Sequence, residues 1–167
     1  MTPSRRRSTG IDRLAEGWEA AWTGGREAGF RKCCAADVHY EDPLLDEPAE
    51  GIAALAGHAG RLRGVFPDLR IERAARPLGD DQFACIPWRL LGTQRGELPQ
   101  LPASDRFVIV HGVHYVELAD GRIRRARGFF DVYGAGVQLG LLPRRGTLGE
   151  TALLALRGFG LRLRDRG

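Results

Sequence analysis

The stretch FVIVHGVHYVELADGRIRRARGFFDVY, residues 107–133, decides the fold. Val108, Val110, Val116 and Leu118 recur at even spacings, the period of a strand, so Phe107 to Leu118 is one long strand. Asp120-Gly121 is a strong two-residue hairpin signal, and Arg122 to Tyr133 returns antiparallel. Upstream, Phe83, Cys85 and the residues to Leu91 form another strand, and Leu69 and Ile71 begin one more. Pro87 lies inside the former; it has no N–H to give a ladder, so it marks an edge or a bulge. Residues 93–105 read as a loop.

Further upstream the period becomes helical. Ile11, Leu14, Trp18 and Trp22 share one face, with a Thr9/Asp12 capping signal before them and Gly24-Gly25 as the break. A second helix is expected over Arg26 to Ala35, then a strand at Val38–Glu41 ended by Asp42-Pro43, then a loop from Leu44 to Pro48. A third helix runs from Ile52 to Phe66, with Ile52, Leu55, Ala59, Leu62 and Phe66 apolar, and Pro67-Asp68 stops it. Helices segregated to one side of a curved antiparallel sheet make an α+β domain. The sheet is expected to wrap the first helix as a cone whose mouth leaves a cavity. The domain is assigned to residues 9–145, with a disordered arm at 1–8 and a helical extension at 146–167. Within that extension a helix is expected from about Thr151 to Arg164, weakened by Gly158 and Gly160.

The composition, 43% hydrophobic and 28% charged over 167 residues, excludes a disordered or collagen-like chain. The net charge of +4 comes from arginine, with Lys32 the only lysine. Arg5-Arg6-Arg7 and the C-terminal arginines lack interleaved aromatics, so no nucleic-acid partner is expected. No apolar run is long enough to span a membrane, and the N-terminus has no apolar signal core. Cys33, Cys34 and Cys85 form neither a disulfide framework nor a zinc pattern; they read as core residues of a cytoplasmic protein.

Two residues are candidates for proton transfer. Alternation places Asp131 on one face with Ile123 and Phe129. A carboxylate on a concave apolar face would be desolvated, which raises its pKa and suits it to shuttle protons; a strand-end pairing with Arg125 or Arg127 is the alternative. His114 shares parity with an apolar set and needs a partner or a cavity, as a catalytic group or a satisfied core histidine. His111 faces the other way, toward a surface or interface, so a His/His/Asp metal set is not expected. Tyr40, Asp42, Trp22, Trp88 and Phe129 are further candidates to line a substrate pocket, as is His111; each of the first four could equally be core. His39 and His58 are weaker, His58 reading as a half-exposed helix position. Gly134-Ala135-Gly136 reads as a turn, with no Lys-Ser/Thr to make a phosphate loop.

Tyr40-Glu41-Asp42-Pro43, Gly51-Ile52 and Phe66-Pro67-Asp68 resemble the front half of a SnoaL-like polyketide cyclase. Trp88, Gly92-Thr93, Gly96, Gly112, Asp120-Gly121-Arg122-Ile123, Phe129-Phe130-Asp131 and Gln138-Leu139-Gly140-Leu141 with Pro143 match the back half, in order and spacing over residues 11–143. Gln94 stands where the family often has a histidine. The resemblance implies a nuclear transport factor 2-like α+β barrel, a homodimer or homotetramer, with a deep apolar pocket for a hydrophobic, polyketide-like small molecule. It implies intramolecular aldol-type ring closure by general acid/base catalysis without cofactor or metal. The acid/base maps to Asp131, and His114 and Tyr40 are candidate donors to the carbonyl oxygen. The alternatives are a ligand-binding or assembly protein of the same fold, or a member recruited to isomerase, hydrolase or hydroxylase chemistry.

Overall fold

A computed structural model describes residues 10–97 and 102–156. The arm expected at 1–8, the Thr9 cap and the part of the last helix beyond residue 156 lie outside the described residues. Among the described residues five helices and seven strands follow in the order α1 (Gly10–Gly24), α2 (Glu27–Cys33), β1 (Cys34–Glu41), β2 (Ala49–Glu50), α3 (Gly51–Val65), β3 (Arg70–Arg73), β4 (Leu78–Gly79), β5 (Phe83–Thr93), β6 (Phe107–Ala119), β7 (Arg122–Phe130), α4 (Val132–Leu139) and α5 (Leu148–Leu156). The α+β class is as expected. The strands form one curved, unclosed sheet ordered β2-β1-β7-β6-β5-β3, with β4 beside β5.

β3, β5, β6 and β7 form the expected antiparallel meander. At its far side β1 joins β7 in parallel, pairing Tyr40 with Ala126. The Asp120-Gly121 turn has positive φ at both residues, 51° and 71°, which matches the twist of the strands it joins. Pro87 sits on the edge side of β5, in the gap between β3 and β4. Its carbonyl accepts from Ala74 N on that side (3.0 Å), so the missing N–H points where no ladder runs. Gln94 is buried and its amide bridges Gly96 O, Pro102 O and Ser104 N, closing the loop after β5.

Helices α1 to α4 pack on the sheet. α1 presents Ala15, Trp18, Ala21 and Trp22 to the core, and α3 presents Ile52, Leu55, Ala56, His58 and Ala59. They meet Val38 and Tyr40 of β1, Ile86 and Trp88 of β5, Val108, Val110 and Val116 of β6, and Ile123 and Ala126 of β7. Burial of this apolar set is the main stabilising term, at about 25 cal/mol per Å² removed from water.

Two expectations fail at the end of β7. The strand stops at Phe130 rather than continuing to Tyr133, and residues 132–139 form α4 rather than a Gly-rich turn. Asp131 is the cap: its carboxylate accepts from Gly134 N at 2.8 Å, and Gly140, with φ 78°, ends the helix in the left-handed conformation. The second failure is one of parity. Glu117 pairs with Arg125 but Leu118 pairs with Ile123, so one extra residue bulges from β7 near Arg124. One added residue inverts the alternation beyond it. Ala126, Gly128 and Phe130 therefore face inward, and Phe129 faces solvent at 52% exposure.

Candidate functional site

The inward positions of β6 read, from one end to the other, Val108, Val110, Gly112, His114 and Val116. His114 is the one titratable group among them and is 3% exposed. Its ring lies near-parallel to the rings of Trp22 (5.5 Å, 15°) and Trp88 (5.0 Å, 27°). Trp18 meets it edge-on and donates from Nε1 to His114 Nδ1 at 3.0 Å. An indole N–H can only donate, so His114 Nδ1 is an acceptor and the ring proton sits on Nε2. Burial works against the charged ring and pushes its pKa down to about 3, against a smaller opposing pull from Asp42. His114 is thus a neutral imidazole with its N–H aimed at Tyr40.

Tyr40 and Asp42 reach the same place from β1 and the turn after it, because residues 38, 40 and 42 share parity. Tyr40 Oη lies 3.3 Å from His114 Nε2 and donates to Asp42 Oδ2 at 3.0 Å. His58 Nε2 lies 2.8 Å from the same carboxylate oxygen, and Leu44 N donates to Asp42 Oδ1 at 2.8 Å. The Asp42 and His58 side chains are 2% and 4% exposed. Burial pushes the Asp42 carboxyl up, but hydrogen bonding and charge from His58, with the Leu44 amide and the Tyr40 hydroxyl, outweigh it and hold the group below the usual carboxylate value. Burial, then the Asp42 charge and hydrogen bond, hold the Tyr40 phenol well above its ordinary value. The result is a directed chain: His114 donates to Tyr40, Tyr40 donates to an ionised Asp42, and His58 meets that carboxylate from the other side. The far ring nitrogen of His58 lies 3.4 Å from Arg61 Nη2.

Gly128 makes room for this chain. A Cβ there would stand 2.7 Å from Tyr40 Oη and 3.1 Å from Asp42 Cβ. Gly112 makes room for Trp88, whose Cζ2 and Cε2 atoms lie against it.

An apolar cavity of about 390 Å³ adjoins the chain. Leu62 of α3 and Phe66 just past its end, Val108 and Val110 of β6, Phe130, Val132, Ala135 and Leu139 of α4, and Leu44, Leu141 and Leu142 line it. Among the described residues no polar side chain is in its walls. Two links tie it to the polar chain. Leu44, a wall residue, is hydrogen-bonded to Asp42. His58 and Leu62 stand at i and i+4 on α3, so His58 is one helical turn from a residue that lines the cavity.

Of the residues singled out in the sequence, the structure brings together Tyr40, Asp42, Trp22, Trp88 and His114. It separates three others. Asp131 is exposed at the α4 cap rather than set on a concave apolar face; nor does it pair with Arg125 or Arg127, the latter being bound to Glu41. Phe129 and His111 are on the outer face. His58, expected to be half-exposed, is a buried member of the cluster, and Trp18, read only as core, fixes the His114 tautomer. His39 lies on β1 beside Glu50 of β2, away from this cluster.

The family model of the SnoaL-like polyketide cyclases matches residues 12–139. No curated protein sequence matches the chain. Among solved structures, TsrD from Streptomyces laurentii superimposes with a TM-score of 0.70 at 22% identity, over 80% of this chain and 96% of that one. A protein of Jannaschia sp. CCS1, provisionally described as a SnoaL-like polyketide cyclase, gives 0.70 at 19% identity, over 86% and 100%. A Catenulispora acidiphila protein with a ketosteroid isomerase-like fold gives 0.64 at 17% identity, over 84% and 95%. At these identities the superpositions show the shared fold, and the family match adds the lineage: the chain belongs to the SnoaL-like polyketide cyclase family.

Proposed function

We propose that this protein is a cofactor-independent acid–base enzyme that closes a ring in a flat, mainly apolar, polyketide-like ketone. The observation that carries the reading is the buried Asp42–His58 pair, 2.8 Å apart, one helical turn from a residue that lines a wholly apolar cavity. In such a pair the carboxylate fixes the imidazole tautomer and stabilises the imidazolium that forms when the ring takes a proton. His58 removes a proton from the carbon between two carbonyls, and the enolate adds to the acceptor carbonyl within the same molecule. The new alkoxide then recovers the proton from His58. The apolar walls hold the chain folded, which supplies orientation rather than charge. The low pKa of Asp42 suits an orienting anion better than a base, and the neutral Tyr40 and His114 hold it in register.

The test is deuterium exchange at the central carbon of benzoylacetone, followed by proton NMR with purified protein. His58→Gln and Asp42→Asn are expected to slow the protein-dependent exchange by at least ~100-fold, the usual worth of a positioned acid–base group. Asp131→Asn retains the cap and is expected to keep full activity. Loss of exchange in Asp131→Asn, with activity intact in His58→Gln, would refute the assignment.

A further inference from the structure

The apolar cavity has an uncovered end. Among the residues that line it, Phe66, Val108, Val110 and Leu139 are buried, while Leu44, Val132 and Leu141 are 51%, 43% and 48% exposed. The lining therefore grades from the core to solvent, and its outer end, the mouth, is made of three large apolar side chains. Exposed apolar surface gathered in this way marks a place where something docks. Beside it lies an acidic turn. Asp46 and Glu47 follow Leu44 in the loop between β1 and β2; both are exposed, and among the described residues neither carboxylate has an ion-pair partner.

The chain itself supplies an occupant. A Cβ at Gly149 would stand 3.1 Å from Pro143 Cβ, so the first turn of α5 lies against Pro143, which directly follows the lining residues Leu141 and Leu142. α5 ends at Leu156 with none of its residues buried, and the sequence RGFGLRLRDRG, residues 157–167, comes after it. Phe159, Leu161 and Leu163 alternate there with Gly160, Arg162 and Arg164. That is the two-residue period of an extended segment with one apolar and one basic side. Reach is sufficient. The nine residues of α5 carry the chain about 13 Å from Pro143, and residues 157–163, extended, return up to about 23 Å.

We infer that the segment Phe159–Leu163 straps the mouth of the cavity, laying Phe159, Leu161 and Leu163 on Leu44, Val132 and Leu141 and bringing Arg162 and Arg164 to Asp46 and Glu47. The apolar side of the strap supplies the attraction by removing both surfaces from water. The exposed ion pairs add little strength and set its register. The segment lies beyond residues 12–139, the part of the chain that the family model matches. The inference goes beyond the proposed chemistry and does not need it: whatever enters the cavity has to lift the strap, and once inside is held away from bulk water by it.

The test is methyl NMR on the full chain, with leucine and valine methyls labelled. Nuclear Overhauser contacts are expected from the Phe159 ring to the methyls of Leu44, Val132 and Leu141; this measurement needs no variant to fold. The combined substitutions Phe159→Ser, Leu161→Ser and Leu163→Ser are expected to shift the methyl resonances of those three residues and to leave those of the buried Leu55 and Val116 in place, which shows that the fold is kept. Asp46→Asn with Glu47→Gln is expected to weaken the Phe159 contacts, and contacts unchanged in that variant would overturn the pairing with Arg162 and Arg164. Absence of any contact from Phe159 to the mouth, or mouth methyls that ignore the serine variant, overturns the inference and leaves the proposed function standing. Contacts that come instead from Leu154 or Leu156, or that form only between differently labelled molecules in a mixed sample, overturn it in favour of α5 or a second copy of the chain.

Discussion

Replacing Asp42 with asparagine removes one charge and one acceptor atom while keeping the shape. The carboxylate accepts from Tyr40, Leu44 and the His58 side. An asparagine amide has one oxygen. Turned toward Tyr40 and His58, it leaves its NH2 facing the Leu44 N–H; turned the other way, it opposes two donors. Either arrangement strands at least one buried group and removes bonds to a charged acceptor, so the loss of stability at neutral pH is about 2–4 kcal/mol. For a chain of this size that lowers the melting temperature by roughly 5–15 °C. The pH dependence has a definite sign. Asp42 is held below its ordinary value in the folded protein, so its contribution is complete above the unfolded value of about 3.9 and is lost as the pH falls through the lower folded one. Urea unfolding of both proteins should therefore show a constant gap from pH 7 to about 4.5 that closes toward pH 3. A variant within about 0.5 kcal/mol of the parent at pH 7, or a gap unchanged at pH 3, would show that Asp42 is not the ionised acceptor of the network.

Other consequences are open to simpler measurements. The His114 ring resonances should not titrate between pH 8 and 4, because burial holds its pKa near 3. Its share of stability should decline with acidification from about pH 6.5, where the unfolded ring begins to take a proton that the folded one refuses. Tyr40 is one of three tyrosines and should be missing from the phenolate absorbance of the folded protein at pH 11, appearing only on unfolding. Gly128→Ala should cost about 1–3 kcal/mol, since the new methyl presses on Tyr40 and Asp42; a neutral result by thermal melting would contradict the tight placement of β7. Asp131→Ala should cost about 1 kcal/mol through loss of the α4 cap, and Asp131→Asn almost nothing.

The sheet was legible because its strands keep a two-residue period and because Asp120-Gly121 names its own turn. Three helices were legible from their apolar spacing. α4 was not, since Gly134 and Gly136 dilute its propensity, although Asp131 and Gly140 are a serviceable start and stop. The site was half legible. Tyr40, Asp42 and His114 follow from parity alone. Asp131 and Phe129 were misplaced by that same rule, because a bulge near Arg124 leaves no mark in a run of arginines and yet turns over every side chain after it. His58 was missed because a histidine beside an apolar helical stripe looks peripheral until the loop after β1 supplies its carboxylate. Pairing of β1 with β7 is a long-range event, and no local pattern announces it.

That pairing sets the order in which the molecule can assemble. Tyr40 settles beside Ala126, so eighty-odd residues separate the partners and every intervening strand must exist first. On the ribosome the N-terminal third has to wait with Trp18, Trp22 and Tyr40 uncovered until the closing strand emerges. High contact order of this kind slows folding and prolongs the exposure of sticky intermediates. Supply of a chaperone, rather than the equilibrium stability of the finished sheet, is therefore the lever that should govern its yield in a foreign host.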